Sequence, residues 1–145
     1  MLLLAWMLFR VGTADAALGG DAASVLSDGA ALQGAVNATG MLAYEVDEII
    51  GTADLRVREF VGVDGTVFAV SWSGPVLPDL QRLLGNSFNA YAAAVAGMPH
   101  PGLRRSVHVS LPGLVVESGG HLRAYTGRAY LPARVPDGVR VSDIH

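Results

Sequence analysis

Leu55-Arg56-Val57-Arg58-Glu59-Phe60-Val61-Gly62-Val63-Asp64-Gly65-Thr66-Val67-Phe68-Ala69-Val70-Ser71-Trp72-Ser73 is the stretch that decides the fold class. Asp64-Gly65 lies between two β-rich runs, and glycine accepts the positive φ that a tight hairpin turn requires. Before the turn, Leu55, Val57, Glu59 and Val61 alternate with Arg56, Arg58 and Phe60. After it, Phe68, Val70 and Trp72 alternate with Val67, Ala69 and Ser71, small or β-branched groups suited to lie under another layer. A period of two is the signature of a strand. The stretch therefore predicts an antiparallel hairpin with at least one covered face.

The pattern extends in both directions. Leu42, Tyr44 and Val46 alternate with Ala43, Glu45 and Asp47, a further strand that ends at a turn over Gly51–Asp54. Downstream, Gly74-Pro75 and Pro78 punctuate the chain, and Asp79 complements the positive end of a helix dipole. Leu80, Leu83, Leu84, Phe88 (or Ser87), Tyr91 and Val95 recur at helical spacing, which predicts one helix over 80–95 with a kink or close contact at Gly85. Gly97 and the run Met98-Pro99-His100-Pro101-Gly102 stop it. Strand signals resume around Val107–Val109, Leu114–Ser118 and His121–Leu131, with tight turns expected at Leu111-Pro112-Gly113 and Gly119-Gly120 and a break at Gly127. The order β-β-β-α-β-β-β predicts an α+β domain over 41–136: about six antiparallel strands with one helix on one face. Residues 137–145 read as a tail.

The N-terminal part is of another character. Leu2 to Phe9 are eight apolar positions in a row, too few to span a bilayer as a helix and of the length of a signal-peptide core. Ala14-Asp15-Ala16 supplies small residues for cleavage, although no basic residue precedes the apolar run. Residues 1–16 are therefore expected to be a signal peptide, the alternative being a buried N-terminal helix. Residues 17–40, mostly small and polar and without sustained periodicity, read as a flexible lead-in with a short strand around Ser24–Leu26.

The 145 residues suffice for one domain with a core that needs no staple. Ten arginines and no lysines against 13 acidic groups leave a net charge of −3, which argues against a dedicated nucleic-acid binder. The absence of cysteine removes thiol catalysis, disulfides, thiolate metal sites and a cysteine-linked lipid anchor.

Several blocks occur together in order: Val67-Phe68-Ala69-Val70-Ser71-Trp72, Gly74-Pro75-Val76-Leu77-Pro78-Asp79-Leu80 with Leu83-Leu84-Gly85, Leu114 through Arg123, and Gly127-Arg128-Ala129-Tyr130-Leu131-Pro132. With Ala17-Leu18-Gly19-Gly20 after the cleavage signal, they resemble the small exported proteobacterial proteins grouped as domain of unknown function 2844. The resemblance spans nearly all of the chain beyond residue 16. It implies export, a single small domain and a bacterial source, and it carries no activity, cofactor or site residue with it.

Two constellations carry potential chemistry. Glu117, Ser118 and His121 surround the Gly119-Gly120 pair and offer carboxylate, hydroxyl and imidazole for a small periplasmic hydrolase. The surroundings are not the strand–turn–helix elbow of hydrolases, and the two glycines more simply build a hairpin. Arg123 and Arg128 alternate with Tyr125 and Tyr130 and, with Arg104 and Arg105, suggest a binding face for an anionic glycan, a lipid headgroup or a single strand, while an envelope protein is a further partner expected of the chain as a whole. His100, His108 and His121 lack the helical spacing of a zinc motif, so no metal or cofactor is expected. The leading expectation is a periplasmic or secreted, non-catalytic binding or structural module of the cell envelope.

Overall fold

The computed structural model describes residues 18–41, 43–99 and 106–145. The expected signal peptide, Leu42, His100, Arg104 and Arg105 lie outside the described residues. The elements are α1 (Ala22–Ala31), β1 (Ala35–Gly40), β2 (Tyr44–Ile50), β3 (Arg56–Gly62), β4 (Val67–Gly74), α2 (Leu80–Leu84), α3 (Phe88–Ala96), β5 (Ser106–Leu111), β6 (Leu114–His121) and β7 (Ala124–Tyr130). The strands form one antiparallel sheet of seven in the order β1-β2-β3-β4-β7-β6-β5. Two meanders are thus joined through β4 and β7, and the α+β class follows from helices packed on one face of an antiparallel sheet.

Residues 17–40 are the largest correction. Where the sequence suggests a flexible lead-in and a strand at Ser24–Leu26, the chain forms α1 and β1. Asp21 caps α1 by accepting a hydrogen bond from Ser24 N–H (3.2 Å), and four of the ten helical residues are alanine, the strongest helix former. The helix docks through small residues rather than an apolar stripe. A side chain at Gly29 would meet Val36 Cγ2 at 2.5 Å, so only glycine lets α1 come this close to β1. Leu18, just before it, is 3% exposed and belongs to the core.

The other departures are local and have visible causes. The helix expected over 80–95 is interrupted at the site of the expected kink, Gly85 (φ +49), and goes further than a kink by dividing into α2, a 3-10 turn and α3. Gly119-Gly120 is not a turn: β6 runs through it, and the chain reverses at Leu122-Arg123, with Arg123 at φ +66. Gly120 is required because a side chain there would lie 2.1 Å from Ala124 O on β7. Gly127 does not break β7 but makes room for the Trp72 indole, whose Cζ2 would be 2.3 Å from an added Cβ. Residues 137–145 are no free tail either, since Ile144 is fully buried.

The two faces of the sheet carry separate cores. On the helix side, Ile49, Val57, Val67, Val70, Trp72, Val109, Val116 and Ala129 pack with Val25, Leu83, Leu84 and Tyr91. On the other side, Phe60, Phe68 and Ala69 hold Ile144, with Tyr44, Val46, Tyr130 and Val135 around them. A register shift between Phe60 and Val61 leaves Phe68 without a partner on β3. This bulge turns Phe68 and Ala69 toward one face. Phe68 therefore leaves the side of Val70 and Trp72, where simple alternation places it, and Val67 joins them.

Candidate functional site

The face away from the helices is the chemically distinctive surface. The strand register aligns Asn37, Glu48, Arg58, Ser71, Arg128, Glu117 and His108 in one row across all seven strands. Neighbours in such a row stand close enough to pair. Arg58 Nε donates to Glu48 (2.7 Å) and Arg128 Nε to Glu117 (2.6 Å). His108 Nδ1 lies 3.3 Å from the other oxygen of Glu117, and Arg56 adds a 3.3 Å contact to Glu48. The row thus carries two carboxylates, each flanked by cationic or ionisable partners from neighbouring strands.

Residues 139–145 cross this row as a strap. Arg58 Nη1 donates to the main-chain oxygen of His145 (2.6 Å), and Arg128 Nη1 donates to those of Val141 (2.7 Å) and Ile144 (3.4 Å). Ile144 fills the aromatic pocket formed by Phe60 and Phe68, a burial worth about 1.5–3 kcal/mol. A groove of about 390 Å³ remains on one side of the strap, lined by Ser106, His108, Glu117, Thr126, Arg128 and His145. A second of about 300 Å³ involves Asn37, Thr39, Glu48, Arg58, Asp143 and again His145.

The structure does not gather the hydrolase candidates. Glu117 and Ser118 are consecutive on β6, so their side chains leave opposite faces of the sheet. Glu117 is engaged by Arg128 and His108, while Ser118 stands opposite Gly127. His121 sits at the end of β6 with Nδ1 3.4 Å from Leu122 O. It lies four positions along the strand from Glu117, a span of about 13 Å. The basic aromatic set divides too. Arg128 and Tyr130 share the strap face, Tyr125 has the opposite parity on β7, and Arg123 occupies the turn. Among the described residues, no group of three or more His, Asp or Glu side chains has a metal-holding arrangement.

Pairing of His108 with Glu117 is a feature the sequence reading passed over. Its signal was present in the alternation of Val107 and Val109 against His108, but the partner strand's register is invisible in sequence. A second overlooked feature is acidic and lies on the helix side. Asp28 and Glu59 are fully buried, and Asp47, opposite Glu59 on β2, is 8% exposed. Arg82 of α2 reaches Asp28 (3.0 Å) and Ser27 O (3.3 Å), tying α2 to α1. Burial, then hydrogen bonding to Asp28 and the charges of Asp28 and Asp47, push Glu59 up to about 9. Glu59 is therefore held protonated at neutral pH beside Asp28. Burial and the neighbouring Glu45 raise Asp47 as well.

An open antiparallel sheet with helices on one face and a charged, grooved row on the other defines a small α+β module. The model of the family described as "Protein of unknown function (DUF2844)" matches residues 14–144, and the chain belongs to that family. No curated protein and no solved structure matches the chain significantly. Among the described residues, no helix is long and apolar enough to cross a membrane.

Proposed function

We propose that this is an exported, non-catalytic binding or structural accessory module of the bacterial cell envelope, and that the strap face is its contact surface. One observation carries the reading: a row of charged and polar side chains runs the width of the sheet, covered only in part by residues 139–145, with grooves on both sides. Exposed ion pairs on a sheet are common and contribute little when they stand alone. This row instead holds its guanidinium groups between carboxylates and main-chain oxygens at fixed positions, as a preorganised contact surface does. Export is supported by the apolar run Leu2–Phe9 and the small residues Ala14-Asp15-Ala16. The hydrolase reading draws no support from the geometry, because Ser118 and Glu117 leave opposite faces.

The test has two arms. Mass spectrometry of the protein from its native periplasm is expected to give a mature N-terminus at Ala17; an intact Met1 on a protein retained inside the cell contradicts export. For the surface, a photo-reactive residue replaces Thr126 in one strain and exposed Leu26 on α1 in another. A discrete adduct from position 126 and none from 26 supports the strap face, and the reverse pattern refutes it.

A further inference from the structure

We propose that residues 139–145, which turn through a short 3-10 helix at Val141–Asp143, occupy, in cis, a site for a polypeptide turn bearing one aliphatic side chain, and that a partner segment of this chemistry binds the same face. The inference rests on reading the strap face as the contact surface and names what it recognises. Three features of the strap's attachment point to polypeptide. Arg58 and Arg128 hold main-chain oxygens, at Val141, Ile144 and His145, and no side chain of the strap. Such bonds are indifferent to sequence, so any chain on the same path satisfies them. Specificity then falls to one anchor, the Ile144 side chain between Phe60, Phe68 and Ala69. A backbone grip beside a single apolar pocket is the recurrent arrangement of peptide recognition.

The charge state of the row selects against the other ligands. Arg58 is already paired with Glu48, and Arg128 with Glu117. Each guanidinium is neutralised along one edge and offers its remaining N–H groups to main-chain oxygens, of Val141 and Ile144 for Arg128 and of His145 for Arg58. At Arg128 a neutral carbonyl satisfies that demand, whereas a phosphate or an acidic sugar would meet Glu117 at close range. The strap itself forms no strand pairing with the sheet. Its own polar bonds close on themselves, from Arg140 to Asp143 and between His145 and Ser142. The grooves beside it leave room for residues flanking the anchor.

The probe is a fluorescein-labelled peptide copying residues 139–145, with a control in which asparagine replaces its isoleucine. The full-length Ile144→Gly variant, which frees the pocket, is expected to bind the probe at least about tenfold more tightly than the unmodified chain, because the competing cis occupant is weakened. The control peptide is expected not to bind. A folded Ile144→Gly chain that ignores the probe, or binds both peptides alike, overturns the proposal. Should that variant fail to fold, amide exchange in the unmodified chain decides instead. Asp143 and Ile144, whose amides are bonded to Arg140 O and Val141 O, are expected to exchange at least about tenfold faster than Val70 and Ala129. Equal rates overturn it. If peptides fail while a neutral oligosaccharide shifts the NMR signals of His108 and Thr126, the contact surface stands and its polypeptide ligand falls. Silence of that face to both probes removes both.

Discussion

The two faces of the sheet are covered by different means. On one, α1, α2 and α3 lay a mainly apolar layer over the strands, from Ile49 and Val57 to Val109 and Val116, interrupted by the buried carboxyls of Asp28 and Glu59. On the other, a strap of seven residues is held by one isoleucine and by guanidinium bonds to its backbone. The first cover works by area, which is non-directional and lost only when the whole layer parts. The second works by one buried isoleucine and a few directional contacts over a charged row.

Deleting apolar bulk is the strongest way to probe this contrast. Leu84→Ala, in the helix-side core, is expected to cost about 2–5 kcal/mol in urea unfolding and to lower protection throughout the sheet. Ile144→Ala removes an equally buried side chain, but its cavity can collapse as the strap moves. A loss of about 2 kcal/mol, with exchange raised in 141–145 and not in β4, is the expected outcome. Identical global effects from both would erase the difference between the faces.

The buried carboxyl of Glu59 gives the helix side a pH response. Its folded value of about 9 lies above the ordinary 4.5, so between these the folded chain carries a proton that the unfolded chain has released. Stability is therefore fullest below about pH 4.5 and declines as pH rises toward 9, by no more than about 1.4 kcal/mol per unit. Raised Asp47 acts in the same direction. Asp64 and Asp143 act oppositely: the Thr66 backbone N–H holds the first low and Arg140 the second, so their contributions are lost only in strong acid. Melting curves are expected to show a transition temperature rising from pH 9 to 5, and Glu59→Gln is expected to flatten the trend. An unchanged slope in that variant would show that Glu59 does not carry the buried proton.

Smaller effects belong to the strap side. Arg128→Gln removes the bonds to Glu117, Val141 and Ile144, for a loss of about 1 kcal/mol and faster exchange at Ile144. Equal loosening of α1 in that variant would mean the faces are coupled through the sheet. Arg134→Gln breaks only an exposed contact with Asp64 (3.4 Å) and is expected to melt like the parent chain.

The hairpin around Asp64-Gly65 and the side of β3 that carries Val57, Glu59 and Val61 were legible because alternation and turn chemistry are local. So was the stop at Gly97. What was not legible depended on contacts between distant residues. The helix α1 has Leu26 as its exposed apolar residue and docks by close approach at Gly29 and through Asp28 to Arg82, none of which leaves a periodic apolar stripe. The role of Gly119-Gly120 was misplaced because a glycine required by a crossing strand looks, in one dimension, like a glycine required by a turn. Glu117 was visible as a candidate residue, but its true partners stand on β5 and β7.

By itself, the sequence determined an antiparallel α+β domain, the Asp64-Gly65 hairpin and the family to which the chain belongs, since period, turn residues and ordered motifs are properties of neighbours along the chain. Tertiary structure alone decided that β4 pairs with β7, that Phe68 turns to the strap face, that Glu59 meets Asp28, and that residues 139–145 lie across Arg58 and Arg128. Those outcomes depend on strand register and on which surfaces meet in space. Both are set by the free energy of the whole assembled core rather than by any single segment.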